Sequence, residues 1–314
     1  MAATQSTPAV RRPRTLDDVP GWFPPLDQML FDWLLDRQQS AGMRGDLLEV
    51  GVFMGKSATF LGQRLQPGER YTVCDLFEGV APDDANKAES EKSYSALTRQ
   101  AFEENYLSFH DELPRVLQGP SSIVPDEVPA GSCRFVHVDG SHLYEHVYGD
   151  IGAAHDLLLP DGVVVLDDFR SEHTPGVAIA TWEAVINRGL RPICLSTQKL
   201  YATWGDPEPV QEELLAMVRA RTDCHLSVQQ AAGHRIIRLK AKGMQAPPFP
   251  PSRHADSIPA EPSAPTAPAV ASAARPARPR PPRSRARSRA RRLAADVLPP
   301  VVTRAIRNAR RRAR

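Results

Sequence analysis

The sequence predicts an α/β fold, a doubly wound and mostly parallel sheet finished by an antiparallel hairpin. Three observations carry this. Short apolar runs of strand length alternate with segments of helical period from residue 47 to residue 188. The stretch Asp46–Ser57, DLLEVGVFMGKS, reads as a strand, a turn punctuated by Gly51 and Gly55, and a helix start. Finally, the apolar runs Arg191–Ser196 and Leu200–Thr203 are joined by only Thr197, Gln198 and Lys199. That link is too short for a parallel return, which needs about a dozen residues, so the two must form a hairpin.

Residues 1–17 are small, polar and basic and read as a disordered arm, with order beginning near Val19. Asp27–Gln38 places Met29, Leu30, Trp33 and Leu34 on one helical face, with Asp27, Asp32 and Asp36 on the other. Strand Leu47–Val50 leads into helix Ser57–Leu65 and strand Arg70–Cys74. A charged loop, Glu78–Glu91, leads to helix Ser93–Phe109. Next come strands Arg115–Gln118 and Arg134–Val138, helix Tyr144–Leu158, strand Val163–Leu166 and helix Val177–Arg188. After the hairpin lie an amphipathic helix near Pro209–Arg219 and a late strand His234–Leu239, whose place in the sheet is left open.

From Met244 onward Pro, Ala, Ser and Arg dominate, and residues 247–300 hold 14 of the 30 prolines, so the body is expected to end near Gly243. The division is therefore an arm 1–17, a domain 18–243 and a basic disordered tail 244–314. Residues 1–250 carry 23 Lys and Arg against 34 Asp and Glu, whereas residues 251–314 carry 16 against 3. The formal net charge of +2 thus hides an acidic body and a basic tail.

Cys74, Cys133, Cys194 and Cys224 show no C-x-x-C spacing, and three sit in apolar runs, as reduced core thiols of a cytoplasmic protein do. The N-terminus lacks a 7–15-residue apolar stretch after its charges, so no secretory signal is expected, and no window approaches 18 consecutive apolar residues, so no membrane span is expected.

The chemistry-bearing residues gather at strand ends. The turn spacing Gly51-x-x-x-Gly55 is neither G-x-G-x-x-G nor a P-loop, which weakens the dinucleotide and nucleoside-triphosphate readings. The start of the following helix offers free N–H groups to an anionic group. Asp75, at the tip of the second strand, stands where doubly wound folds hold ribose hydroxyls. Asp139-Gly-Ser-His142-Leu-Tyr144 and Asp167-Asp168-Phe169 follow two later strands. Parallel strands deliver all these residues to one sheet edge. Three clustered carboxylates repel one another unless a cation sits among them, and oxygen ligands favour Mg²⁺ or Mn²⁺. The alternative is that Asp139 caps the next helix while Asp167 and Asp168 are loop acids. His142 is the general-base candidate, its alternative role being a hydrogen bond that orients its loop. Tyr144, Asp150 and Trp182 read as structural.

Together the runs from Glu49 to Ser57, from Asp139 to Tyr144 with Asp150, and from Leu159 to Phe169, along with Asp75, resemble class I S-adenosylmethionine-dependent methyltransferases. Within that class the chain is most similar to the macrocin- and mycinamicin-type small-molecule and sugar O-methyltransferases. Its acids also resemble the metal site of catechol O-methyltransferases. The resemblance spans Gly21 to Trp204 and implies a seven-stranded, Rossmann-like sheet. It implies that Glu49, Gly51, Gly55 and Ser57 hold the methionyl part of S-adenosylmethionine, that Asp75 binds the ribose, and that Ser121 faces the adenine, with Pro120 where many relatives place an acid. It implies that Asp139, Asp167 and Asp168 ligate Mg²⁺ or Mn²⁺, that Asp139 also serves cofactor binding and catalysis, and that His142 is the base. Asp167-Asp168-Phe169 replaces the commoner His-Asp-Tyr and adds a carboxylate. A chelator, or Asp167→Asn, is then expected to abolish turnover.

The expected function is methyl transfer to a hydroxyl of a sugar or natural-product type small molecule. The tail, with 15 arginines and one acid between Arg275 and Arg314, is suited to weak contact with polyanions or an anionic membrane surface, and Val297–Arg312 has the makings of a short amphipathic helix. Hence one competing reading is a nucleic-acid or envelope-associated acceptor reached through the tail. Another is a binding protein without catalysis, against which the intact Asp139, His142, Asp167 and Asp168 speak.

Overall fold

The computed structural model describes residues 12–93 and 97–256. The chain runs α1 (Pro25–Ser40), β1 (Asp46–Val50), α2 (Lys56–Gly62), β2 (Tyr71–Asp75), α3 (Asp84–Ser93), α4 (Arg99–Leu107), β3 (Arg115–Gln118) and α5 (Val124–Glu127). It continues through β4 (Cys133–Val138), α6 (Tyr144–Leu157), β5 (Leu158–Leu166), α7 (Pro175–Asn187), β6 (Arg191–Leu195), β7 (Leu200–Thr203), α8 (Glu208–Arg219), β8 (Cys224–Ala231) and β9 (His234–Ala241).

All pair into one sheet of order β3-β2-β1-β4-β5-β7-β6-β9-β8. The neighbours from β3 to β5 are parallel. β7 inserts between β5 and β6, antiparallel to both, so the predicted hairpin is present. The sheet has nine strands where seven were expected: β9, expected as a strand but left without a place, joins it, and β8 is the strand the sequence did not indicate, since its residues alternate weakly and most lie exposed. β9, left unplaced from sequence, pairs along its length with β8 and touches β6 at Leu195 and Arg238.

Both faces of the sheet are covered, which explains why β4 is buried at every position, its polar Arg134 and His137 included. One core joins α1, α2 and α8 through Leu30, Phe31, Phe60, Leu61 and Leu214. The other joins α6 and α7 through Val147, Ile151, Ala180 and Ala184. Asp27, expected on the solvent side of α1, is buried and accepts a hydrogen bond from the fully buried Tyr201 hydroxyl at 2.6 Å.

Three boundaries differ from expectation. The charged loop over 78–91 contains α3, and its residues from Asp84 onward are helical. The arm is ordered earlier than Val19, with Leu16 buried in a short 3-10 turn. The body also runs past Gly243: Met244 and Ser252 are buried, and the Phe249 ring stacks on Phe60 with centroids 5.5 Å apart. Ser252 Oγ donates to Pro13 O at 2.6 Å, and Ser252 N donates to Arg14 O, so the two ends of the body meet. The expectations for residues 1–11 and for the tail from residue 257 fall outside the described residues. No helix among the described residues is long and apolar enough to cross a membrane.

Candidate active site

Strand order reverses between β1 and β4, where one connection leaves toward β2 and the other toward β5; ligands of open parallel sheets sit at such points. Gly51 ends β1 with φ of +80°, and a Cβ there would lie 2.0 Å from the Asp139 carbonyl oxygen. Only glycine lets these two strand ends approach so closely. Asp139 N donates to Val50 O at 2.7 Å, fastening them together.

A cleft of about 820 Å³ opens over this junction. Gly51, Val52, Phe53 and Asp75 form one wall, and Asp139, His142, Asp167 and Asp168 another. Ser57, Ser121 and Asp150 also line it. Asp75 accepts backbone N–H donors from Val52 at 2.8 Å and Phe53 at 3.1 Å on one oxygen, and from Phe77 at 2.8 Å on the other. Burial pushes its carboxyl above the ordinary range against the pull of those three amides. With roughly four acceptor sites on a carboxylate, Asp75 spends most of them shaping the glycine turn and keeps little for a ribose.

Glu49 and Gly55, expected at the cofactor, do not line the cleft. Glu49 is fully buried beneath it, where Ser57 Oγ (2.5 Å) and Tyr71 OH (2.5 Å) donate to its carboxylate and His137 Nδ1 lies 2.8 Å away. Gly55, at φ +89°, starts α2 under the Phe102 ring. Both shape the turn from behind.

The second wall is organised around His142 and Asp168. His142 Nε2 lies 3.1 Å from Asp168 Oδ2, and Ser171 Oγ donates to Asp168 Oδ1 at 2.6 Å. Burial raises the Asp168 pKa, but these two hydrogen bonds outweigh it and hold the carboxyl below its ordinary value. Asp168 sits at φ +54°, a conformation an aspartate adopts only at a cost, and Thr174 Oγ1 pins it by donating to its carbonyl at 2.7 Å. Asp139 is half-buried on the cleft floor, and burial raises its pKa against the nearby Lys199 and His137. Ser121 and Asp150 line the cleft together; burial pushes the Asp150 carboxyl up to about 6, and its Oδ2 finds no partner among the described residues.

Residues 48–169, which contain Gly51, Asp75, Asp139, His142, Asp167 and Asp168 but not Ser171, Thr174 or Lys199, match the family described as a methyltransferase domain. This chain carries a methyltransferase domain. Solved structures with similarity include the O-methyltransferase NovP, 18% identical over 57% of this chain and 81% of that one with a TM-score of 0.48. They also include CalS11, a TDP-rhamnose 3'-O-methyltransferase of calicheamicin biosynthesis, at 20% identity over 58% and 80% with a TM-score of 0.39. A third is MycE, a methyltransferase of the mycinamycin pathway in complex with Mg, SAH and mycinamycin VI, at 16% identity over 63% and 56% with a TM-score of 0.38. No curated protein sequence matches the chain. The assignment rests on the family match and not on these overlays.

The methyltransferase domain does not assemble the expected trio of aspartate ligands. The described residues able to surround one ion, with ligand atoms all within 4.8 Å of one another, are His137, Asp139 and Asp167. Asp168 is drawn away by His142. An imidazole in place of a third carboxylate is a poorer donor set for Mg²⁺. Moreover the Lys199 ammonium already donates to Asp167 Oδ2 and lies 3.2 Å from His137 Nε2. The residues present do not fit a divalent ion.

Lys199 and His137 were not singled out from sequence. His137 carried a signal, a polar residue inside the buried strand Cys133–Val138, one position before its end. Lys199 carried none, since a lysine in a three-residue hairpin link reads as solvated.

Proposed function

We propose that this methyltransferase uses S-adenosylmethionine and passes its methyl group to a hydroxyl oxygen of a small molecule. The observation that carries the reading is one cleft with the Gly51–Phe53 turn and Asp75 on one side and the His142–Asp168 pair on the other. Its volume of about 820 Å³ lies in the range of small-molecule sites. Trp22, 75% exposed, stacks on Phe53 at 5.7 Å, and both line the cleft, which offers an apolar wall for the carbon skeleton of an acceptor.

Bound there, S-adenosylmethionine supplies a methyl group on a sulfonium, which an oxygen nucleophile takes as the C–S bond breaks and a neutral thioether leaves. A neutral alcohol is a poor nucleophile, so a base must take its proton. Held against Asp168, the His142 imidazole is the group that takes that proton. The Asp168 carboxylate then stabilises the imidazolium that forms. Ser121 with Asp150 stands where the adenine is expected, and the Gly51 turn lets the backbone come close to the methionyl part. A divalent ion has no part in this reading.

Calorimetry with S-adenosylmethionine and its demethylated product, followed by transfer of a labelled methyl group to a panel of sugars and phenols, tests it. Equimolar binding of both is expected, with label transfer that is lost when the acceptor hydroxyl is removed. An absence of binding at millimolar concentration would overturn it.

A further inference from the structure

The acids of the cleft have a positive charge built into the chain. A run of buried polar contacts crosses the sheet beneath the cleft floor: Tyr71 on β2 to Glu49 on β1, Glu49 to His137 on β4, His137 to Lys199, and Lys199 to Asp167 at the end of β5. Lys199 is 1% exposed. The turn that delivers it is fixed twice, since Lys199 N donates to Ser196 Oγ at 3.1 Å and Ser196 N donates to Lys199 O at 3.0 Å. Gln198, one residue earlier, faces the cleft, so the hairpin sends adjacent side chains above and below the floor. The ammonium reaches the very group of ligand atoms, on His137, Asp139 and Asp167, that could otherwise surround a cation.

A buried carboxylate needs a partner, and an ammonium bonded to it satisfies that need as a metal does. A divalent ion entering the same group would have to displace Lys199 from Asp167 and leave the ammonium buried without a counter-ion. We infer that the Lys199 ammonium stands in the place of a divalent metal at this acid cluster, so that the enzyme binds no such ion there and turns over without one. The inference rests on the reading of the cleft as a methyl-transfer site. Lys199 touches neither donor nor acceptor in that reading. It is a positioning residue that holds Asp167 and His137 and offsets the charge of Asp139.

The test is a titration of the full chain with Mn²⁺ followed by electron paramagnetic resonance, which counts bound ions without any turnover. Wild type is expected to bind no ion that Asp139→Asn removes, and its methyl transfer to be unchanged in EDTA. Lys199→Met frees the cluster and is expected to bind one Mn²⁺ per chain at least tenfold more tightly than wild type. One Mn²⁺ bound per wild-type chain and lost in Asp139→Asn, or turnover abolished by EDTA and restored by Mg²⁺, would overturn the inference. Should Lys199→Met fail to fold, the wild-type and Asp139→Asn counts decide alone. Failure of S-adenosylmethionine to bind would remove the methyl-transfer reading, whereas the manganese count would still decide the role of Lys199.

Discussion

His142 Nε2 lies 3.1 Å from Asp168 Oδ2, and the aspartate that makes this contact is held at φ +54° by Ser171 and Thr174. A costly backbone conformation is thus maintained to place one carboxylate against one imidazole. Positioned general bases contribute about 10²- to 10⁴-fold in rate. His142→Ala is expected to lower kcat by that order, and Asp168→Asn by about tenfold to 10³-fold, while the Kd of S-adenosylmethionine stays within a factor of two to three in both. Rapid-quench kinetics alongside calorimetry checks this. A loss of cofactor affinity as large as the loss of rate would mean that the pair holds the cofactor instead.

Gly51 allows no side chain. Its φ of +80° costs a non-glycine residue about 1–2 kcal/mol, and a Cβ would meet the Asp139 carbonyl oxygen at 2.0 Å. Gly51→Ala should therefore destabilise the fold by about 3 kcal/mol or more and separate the two walls of the cleft. Urea denaturation reads the first effect and cofactor calorimetry the second. A variant of wild-type stability would show that the strand ends part easily.

Asp150 gives the molecule a signature in pH. Its carboxyl is raised by burial from 3.8 to about 6, so the folded state holds the proton more tightly than the unfolded state does. Stability from this group is greatest below pH 4, falls as pH rises between about 4 and 6, and stays low above that. A shift of that size corresponds to about 3 kcal/mol at most. Asp150→Asn should be more stable than wild type at pH 7.5 by up to this amount and equal to it at pH 3.5, as measured by thermal unfolding at both. Equal stability at pH 7.5 would mean that the ionised carboxylate has found a partner.

Glu49 is the hub of the buried contacts under the turn. Removing it strands Tyr71 OH, Ser57 Oγ and His137 Nδ1 together. Glu49→Ala is expected to cost about 3–5 kcal/mol, the range for losing one partner of a buried charged network, and Glu49→Gln much less, because an amide keeps the shape and one acceptor. Guanidinium melts of the two variants separate network loss from a direct role at the cofactor, for which Glu49→Gln would cost binding without costing stability.

The fold was legible from sequence where local signals and sheet geometry agree. The parallel core followed from alternating apolar runs, and β7 followed from a link too short for anything but a hairpin. β8 escaped because an edge strand with exposed faces lacks the apolar alternation that marks a strand. In the site, Gly51, Asp75, Asp139, His142, Asp167 and Asp168 all reach the cleft, as strand ends must. Their roles were less visible. Sequence places Asp167 and Asp168 side by side and suggests shared duty, yet the positive φ of Asp168 turns the neighbours to different partners, one to Lys199 and the other to His142. Lys199 lies 32 residues from Asp167 in sequence, and no periodicity connects them. The resemblance implies that Glu49 faces the cofactor, whereas its partners Tyr71 and His137 arrive from the two strands flanking β1 and keep it beneath the turn.

The stacking of Phe249 on Phe60 has a practical consequence for anyone trimming this chain. Phe60 belongs to α2, the helix that backs the glycine turn, and the same closing stretch grips the opening one through Ser252 and Pro13. It acts as a latch at the rear of the donor wall. A proteolytic nick near Gly243 would open that latch and loosen α2, while a cut beyond Asp256 would spare it.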